Sequence, residues 1–176
     1  MLLLEAAGIP CMLTGSMAAA HHGAGRATMD VDLVIDATAE QLHAFVESLA
    51  STDAYVSSEA AQEALAHEAR FNVSDAATGW KVDLIIRKSR LFSRAEFARR
   101  VPLEFDGQRL SVATVEDVIL SKLEWAKGGG SARQIEDVSA LIRVADSLDQ
   151  AYLDRWIIDL QLAAQWRAAQ DAVPSP

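Results

Sequence analysis

"LTGSMAAAHHGAGRATMDVDLVID", residues 13–36, opens as an apolar strand, breaks at Gly15-Ser16 and closes on two aspartates inside a second apolar strand. Carboxylates are poor strand formers, and burying them costs several kcal/mol unless something neutralises them. On a strand, residues i and i+2 share a face, so Asp30 and Asp32 project together while Val31, Leu33 and Ile35 face the other way. A second lone acid, Asp83, sits in "KVDLII" (81–86), another apolar strand pattern. Three carboxylates on neighbouring strands would repel one another without a cation. A hard divalent ion, Mg²⁺ or Mn²⁺, suits such an all-oxygen set. The competing reading is a pair of strand-end aspartates neutralised by arginines such as Arg26.

Gly15-Ser16 supplies a complement. It lies where a strand turns into a helix, whose first N–H groups and positive dipole end favour phosphate. Glycine lets backbone approach an anion, and Ser16 can cap the helix or donate to a phosphate oxygen.

Outward from this stretch, period and punctuation predict strands at 10–14 and 30–35 and helices at 16–22 and 38–50. A short strand and a helix follow within 53–68, and then "RFNV" and "WKVDLIIR" as two strands. "VPLEF-DG-QRLSV" reads as a hairpin turning at Asp106-Gly107. Helices are expected at 114–127, 131–145 and 149 to about 170, with capping-box starts at Thr114/Asp117 and Ser131/Gln134. Strands come first and helices last. The expected class is α+β, a mixed sheet with helices on one side followed by a helical part. We expect one domain over 1–176, with a sheet half at about 1–113, a helical half at about 114–170 and a disordered tail at 171–176.

The net charge of −9 argues against a general nucleic-acid coat. Residues 81–100 nevertheless carry seven basic side chains against two acidic ones, a surface that is either simply solvated or attracts phosphate. Arg87, Lys88 and Arg90, just past Asp83, are expected near an incoming acceptor. No apolar run approaches the ~20 residues of a membrane span, and Met1-Leu-Leu-Leu is too short for a signal-peptide core. A single cysteine, Cys11, fits a reducing cytoplasm. Trp80, Trp125, Trp156 and Trp166 read as core or interface residues.

Gly15-Ser16, then Asp30-Val-Asp32, with Arg26-x-Thr28 just ahead and Asp83 on a later strand, resembles the polymerase-β-type nucleotidyltransferase superfamily. The R-x-T-x-D-x-D run and "V115-E-D-V-I-L-S-K122-L-E-W" look like the AbiEii-type toxins and related small bacterial nucleotidyltransferases. The resemblance covers roughly residues 10–145. It implies that Asp30, Asp32 and Asp83 hold divalent ions gripping an NTP, with Asp83 also a base toward the acceptor hydroxyl. Gly15 and Ser16 would hold the β- and γ-phosphates, with Arg26 and Thr28 beside the nucleotide. Two ions about 3.5–4 Å apart can stabilise both oxygens of an in-line displacement.

Lys122 falls in the middle of the apolar face of the 114–127 helix, between Val118, Ile119 and Ala126. A lysine there snorkels out, pairs with an acid such as Asp137, or reaches the triphosphate as the resemblance implies. The implied reaction moves a nucleoside monophosphate onto a tRNA end, a protein or a small molecule, and a cognate antitoxin is the implied partner. The alternative is a catalytically idle member serving as a binding partner.

Overall fold

Seven strands form one mixed sheet in the computed structural model, which describes residues 2–25, 28–75, 78–105 and 107–173. The chain packs as two compact units: residues 1–17 with 27–113, and residues 18–26 with 114–176.

The first unit begins with α1 (Leu2–Ala6), β1 (Cys11–Thr14) and the start of α2 (Gly15–His21), inside which the division between units falls. It continues through β2 (Asp30–Ile35), α3 (Ala39–Leu49), β3 (Ala54–Val56) and α4 (Ser58–Ala66). β4 (Arg70–Asp75), β5 (Lys81–Ile86), α5 (Leu91–Arg99), β6 (Val101–Phe105) and β7 (Gln108–Val112) complete it. The strand order is β3-β4-β5-β2-β1-β7-β6. β2 runs parallel to β5 and β1 to β7, and the other neighbours are antiparallel. Period-2 patterning decides which face is dry: Leu33, Ile35, Leu84, Ile86, Phe71 and Val73 are all buried. Helix α3 starts on a full capping box. The Thr38 side chain accepts from the Gln41 N–H at 3.2 Å, and the Gln41 side chain accepts from the Thr38 N–H at 2.9 Å. Its stripe of Leu42, Phe45, Val46 and Leu49 is buried.

The second unit holds α6 (Val115–Gly129), α7 (Ala132–Val144), α8 (Gln150–Asp159) and α9 (Ala163–Asp171). Helix α6 starts at Thr114, whose hydroxyl oxygen accepts from the Asp117 N–H at 3.3 Å, and stops at Gly130 in the left-handed region. It packs against α7, α8 and α9, and Ile119, Leu120, Leu123, Val138, Leu141, Leu153 and Leu162 are buried.

Three expectations are corrected. The helix expected from 149 to about 170 is two helices, because Gln161 takes a φ of 57° between them. The Leu160 carbonyl at this break accepts from the Lys127 ammonium at 2.9 Å. Ser131 makes no side-chain cap, and the Gln134 side chain accepts instead from Lys122. Trp80 and Trp125 are on the surface, 41% and 59% exposed. Helices α1 and α5 were not anticipated. Residues 174–176 of the expected tail and Asp106 of the hairpin turn lie outside the described residues. Among the described residues no helix is long and apolar enough to cross a membrane.

Candidate active site

The pairing of β2 with β5 sets Asp30 opposite Lys81 and Asp32 opposite Asp83. Residues directly opposite on neighbouring strands share a face, as do i and i+2 along one strand. The four side chains therefore occupy the corners of one rectangle: three carboxylates and an ammonium. Registers on both flanks extend the row, since Thr14 of β1 lies opposite Asp32 and Asn72 of β4 opposite Asp83. A polar row, Thr14–Asp32–Asp83–Asn72, thus crosses four adjacent strands, while their alternate residues build the dry face.

Asp83 is buried, 6% exposed, and its charge is met on both oxygens. Lys81 Nζ lies 2.9 Å from Oδ1, and an Arg70 guanidinium nitrogen lies 3.6 Å from Oδ2. Asp32 is half-buried and Asp30 exposed. Among the described residues no three His, Cys, Asp or Glu side chains converge closely enough to hold a metal ion. The donor chemistry and the register still fit a hard divalent cation: all oxygen donors, on two parallel neighbouring strands. Asp83 is engaged with Lys81 and Arg70 in this arrangement.

Gly15 closes one side. It has a φ of +65°, and a Cβ added there would overlap Asp32 Oδ2 and lie 2.7 Å from Asp32 Cγ. The turn that ends β1 thus rests directly on the second carboxylate, an approach only glycine permits. Ser16 follows, buried and hydrogen-bonded or otherwise engaged. Thr28 ties down the entry to β2, its hydroxyl oxygen accepting from the Asp30 N–H at 3.1 Å. Arg26 lies outside the described residues.

Lys122, in the second unit, is 4% exposed. Its ammonium donates to Asp137 Oδ2 at 2.6 Å and to Gln134 Oε1 at 3.3 Å, so two of its three N–H donors are used within that unit. Asp117, fully buried beside the start of the same helix, accepts from the Thr114 and Tyr152 hydroxyls, each at 2.7 Å. The basic stretch after β5 lies at the other end of the strands. Arg87 donates its N–H to the Ile35 carbonyl and its guanidinium to Asp36 at 3.0 Å. Four residues of strand, about 13 Å, separate it along β5 from Asp83. Nearness in sequence misleads here because an extended strand carries its two ends apart.

Lys81, Arg70, Asn72 and Thr14 were not singled out from the sequence. Lys81 was legible, because the same i, i+2 rule that pairs Asp30 with Asp32 pairs Lys81 with Asp83. The other three depend on strand neighbours and register, which no local pattern encodes.

No protein-family model matches the sequence, and no curated protein matches it. Solved structures do share the fold. ANT(2'')-Ia, in complex with adenylyl-2''-tobramycin, superposes with a TM-score of 0.55 at 14% identity, over 93% of this chain and 93% of that one. An antigenic nucleotidyltransferase-like protein from Paracoccidioides brasiliensis gives 0.53 at 18% identity, over 94% and 87%. The lincosamide antibiotic adenylyltransferase LnuA, lincomycin-bound, gives 0.50 at 11% identity, over 81% and 92%. The chain therefore has the nucleotidyltransferase fold, as α+β elements around a mixed sheet.

Proposed function

We propose that this chain is a metal-dependent nucleotidyltransferase that moves a nucleoside monophosphate from an NTP to an acceptor. One observation carries the reading: Asp30, Asp32 and Asp83 share a face in register, with the Gly15 turn resting on Asp32. That juxtaposition sets oxygen donors for a cation beside a backbone turn that tolerates a close anion. The likeness to ANT(2'')-Ia and LnuA supports it at the level of fold.

In this reading Asp30, Asp32 and Asp83 would hold Mg²⁺ or Mn²⁺, Gly15 and Ser16 would receive the β- and γ-phosphates, and Arg26 and Thr28 would be nucleotide-binding residues. The bound ion supplies charge stabilisation for the triphosphate and its leaving group. The acceptor oxygen attacks the α-phosphorus, the bond to the β-phosphate oxygen breaks, pyrophosphate leaves, and the hydroxyl proton passes to Asp83. The resemblance assigns the triphosphate a lysine at the position of Lys122, whose ammonium donates to Asp137 at 2.6 Å. Orientation and charge carry most of such a transfer, so few further groups are needed.

We assign the finer kinship to the AbiEii-type toxins, on the R-x-T-x-D-x-D run and the Lys122 segment, with a tRNA end or a protein as acceptor, a cognate antitoxin as partner and the cytoplasm as its place. The test uses each NTP labelled at the α- or the γ-phosphate, with Mg²⁺ and either total tRNA or lysate. Acid-stable label from the α-position but not the γ-position is the expected result. An idle binding partner would give neither while still binding NTP.

A further inference from the structure

The fourth corner of the carboxylate rectangle is a cation of the chain itself. Lys81 lies opposite Asp30 and two residues before Asp83, on the face those carboxylates share. Its ammonium reaches Asp83 Oδ1 at 2.9 Å, while Arg70 approaches Oδ2 from β4 at 3.6 Å. The two partners differ in kind. Lys81 is a point charge on a flexible stem and is 43% exposed, so its end can swing into solvent. Arg70, opposite Ile85, lies one step further along the face, is 56% exposed and makes the longer contact, to the other oxygen. A carboxylate as buried as Asp83 needs a cation at all times.

We propose that Lys81 is the resident cation of this site. Its ammonium holds Asp83 when no divalent ion is bound, and an entering ion displaces it from Oδ1. Arg70 remains within reach of Asp83, and the released ammonium meets the phosphates that arrive with the ion. Lys81 is thus a positioning residue that sets how tightly the metal binds before nucleotide does. The inference rests on the divalent-ion site proposed above.

The experiment titrates Mn²⁺ alone into the full chain and reads free Mn²⁺ by electron paramagnetic resonance, with no nucleotide present. Lys81→Met removes the competitor and one positive charge, and should bind Mn²⁺ about tenfold more tightly than the wild type. That is a modest figure for an ammonium a few ångströms from a divalent ion, lowered for solvent exposure. Lys81→Arg keeps the charge and should stay near the wild-type affinity. Asp32→Asn should weaken binding in either background. Circular dichroism checks folding, and Lys81→Gln replaces the methionine variant if that one does not fold. A merely structural lysine, once removed, would weaken Mn²⁺ binding or leave it unchanged. If Lys81→Met binds no more tightly while Asp32→Asn still loses the ion, Lys81 is not a competitor and the metal site stands. If no variant binds Mn²⁺, or Asp32→Asn changes nothing, the metal site itself fails and this inference with it.

Discussion

Gly15→Ala separates a backbone effect from a steric one at the point where the turn meets the carboxylate. Gly15 has a φ of +65°, and its missing Cβ would sit inside the Asp32 carboxylate. The first cost is conformational, about 1–2 kcal/mol for an L side chain in the left-handed region. The second is displacement of Asp32, whose strand is held between β1 and β5 and cannot simply retreat. Gly79 gives the control within the same unit. Its φ is +73°, and an added Cβ would meet only Met29 Cε at 3.9 Å, an ordinary contact. Gly79→Ala should therefore cost about 1–2 kcal/mol and leave transfer intact. Gly15→Ala should cost at least about 1 kcal/mol more, in the range of a small overpacking defect, and lower transfer at saturating NTP more than about tenfold, as a misplaced catalytic group does. Urea denaturation gives the stabilities and α-labelled NTP the transfer. Equal stabilities for the two variants, with wild-type transfer in Gly15→Ala, would refute the steric account of the site.

Two further outcomes follow from groups outside the rectangle. Breaking the Lys122–Asp137 pair on either side unbalances a mostly buried ion pair, so Lys122→Met and Asp137→Asn should each destabilise the fold by about 3 kcal/mol. The double variant should recover part of that loss. Additive denaturation midpoints would show that the pair does not couple. Burial pushes the Cys11 thiol above its usual range, against a smaller opposing pull from Arg100. The thiol is therefore neutral at pH 8, and alkylation by iodoacetamide should be slower than for free cysteine and should speed up on unfolding. Because the folded value is raised, the stabilising contribution is whole below the unfolded pKa and is lost as pH rises through the folded one. Alkylation in the native state as fast as for free cysteine would contradict this burial.

The parts of the fold written in local pattern were legible. Alternation gave β2 and β5, and spacing of Leu42, Phe45, Val46 and Leu49 gave α3. Helix α5 was hidden because its arginines read as a charged surface while Phe92 and Phe97 stand too far apart to mark a stripe, and it buries Ser93 and Glu96 as well. The break between α8 and α9 carries neither Gly nor Pro, since Gln161 takes the left-handed turn that such residues usually announce. At the site, the shared face of Asp30 and Asp32 followed from period alone. Its meeting with Asp83 required the β2–β5 register, a long-range pairing. Lys81 was masked by its neighbours. Counted with the basic stretch of 81–100, it looked like surface charge, whereas its place on the strand makes it the partner of Asp83.

The most direct measurement is a crystal structure with Mn²⁺ and an NTP analogue that cannot be cleaved between the α- and β-phosphates, the ion located by its anomalous scattering. The account expects Mn²⁺ within about 2.2 Å of oxygens from both Asp32 and Asp83, Lys81 Nζ withdrawn from Asp83, and the β- and γ-phosphates against Gly15 and Ser16. Mn²⁺ and nucleotide bound away from the Asp30–Asp32–Asp83 face, or Asp83 still closed on Lys81 beside a bound nucleotide, would contradict it.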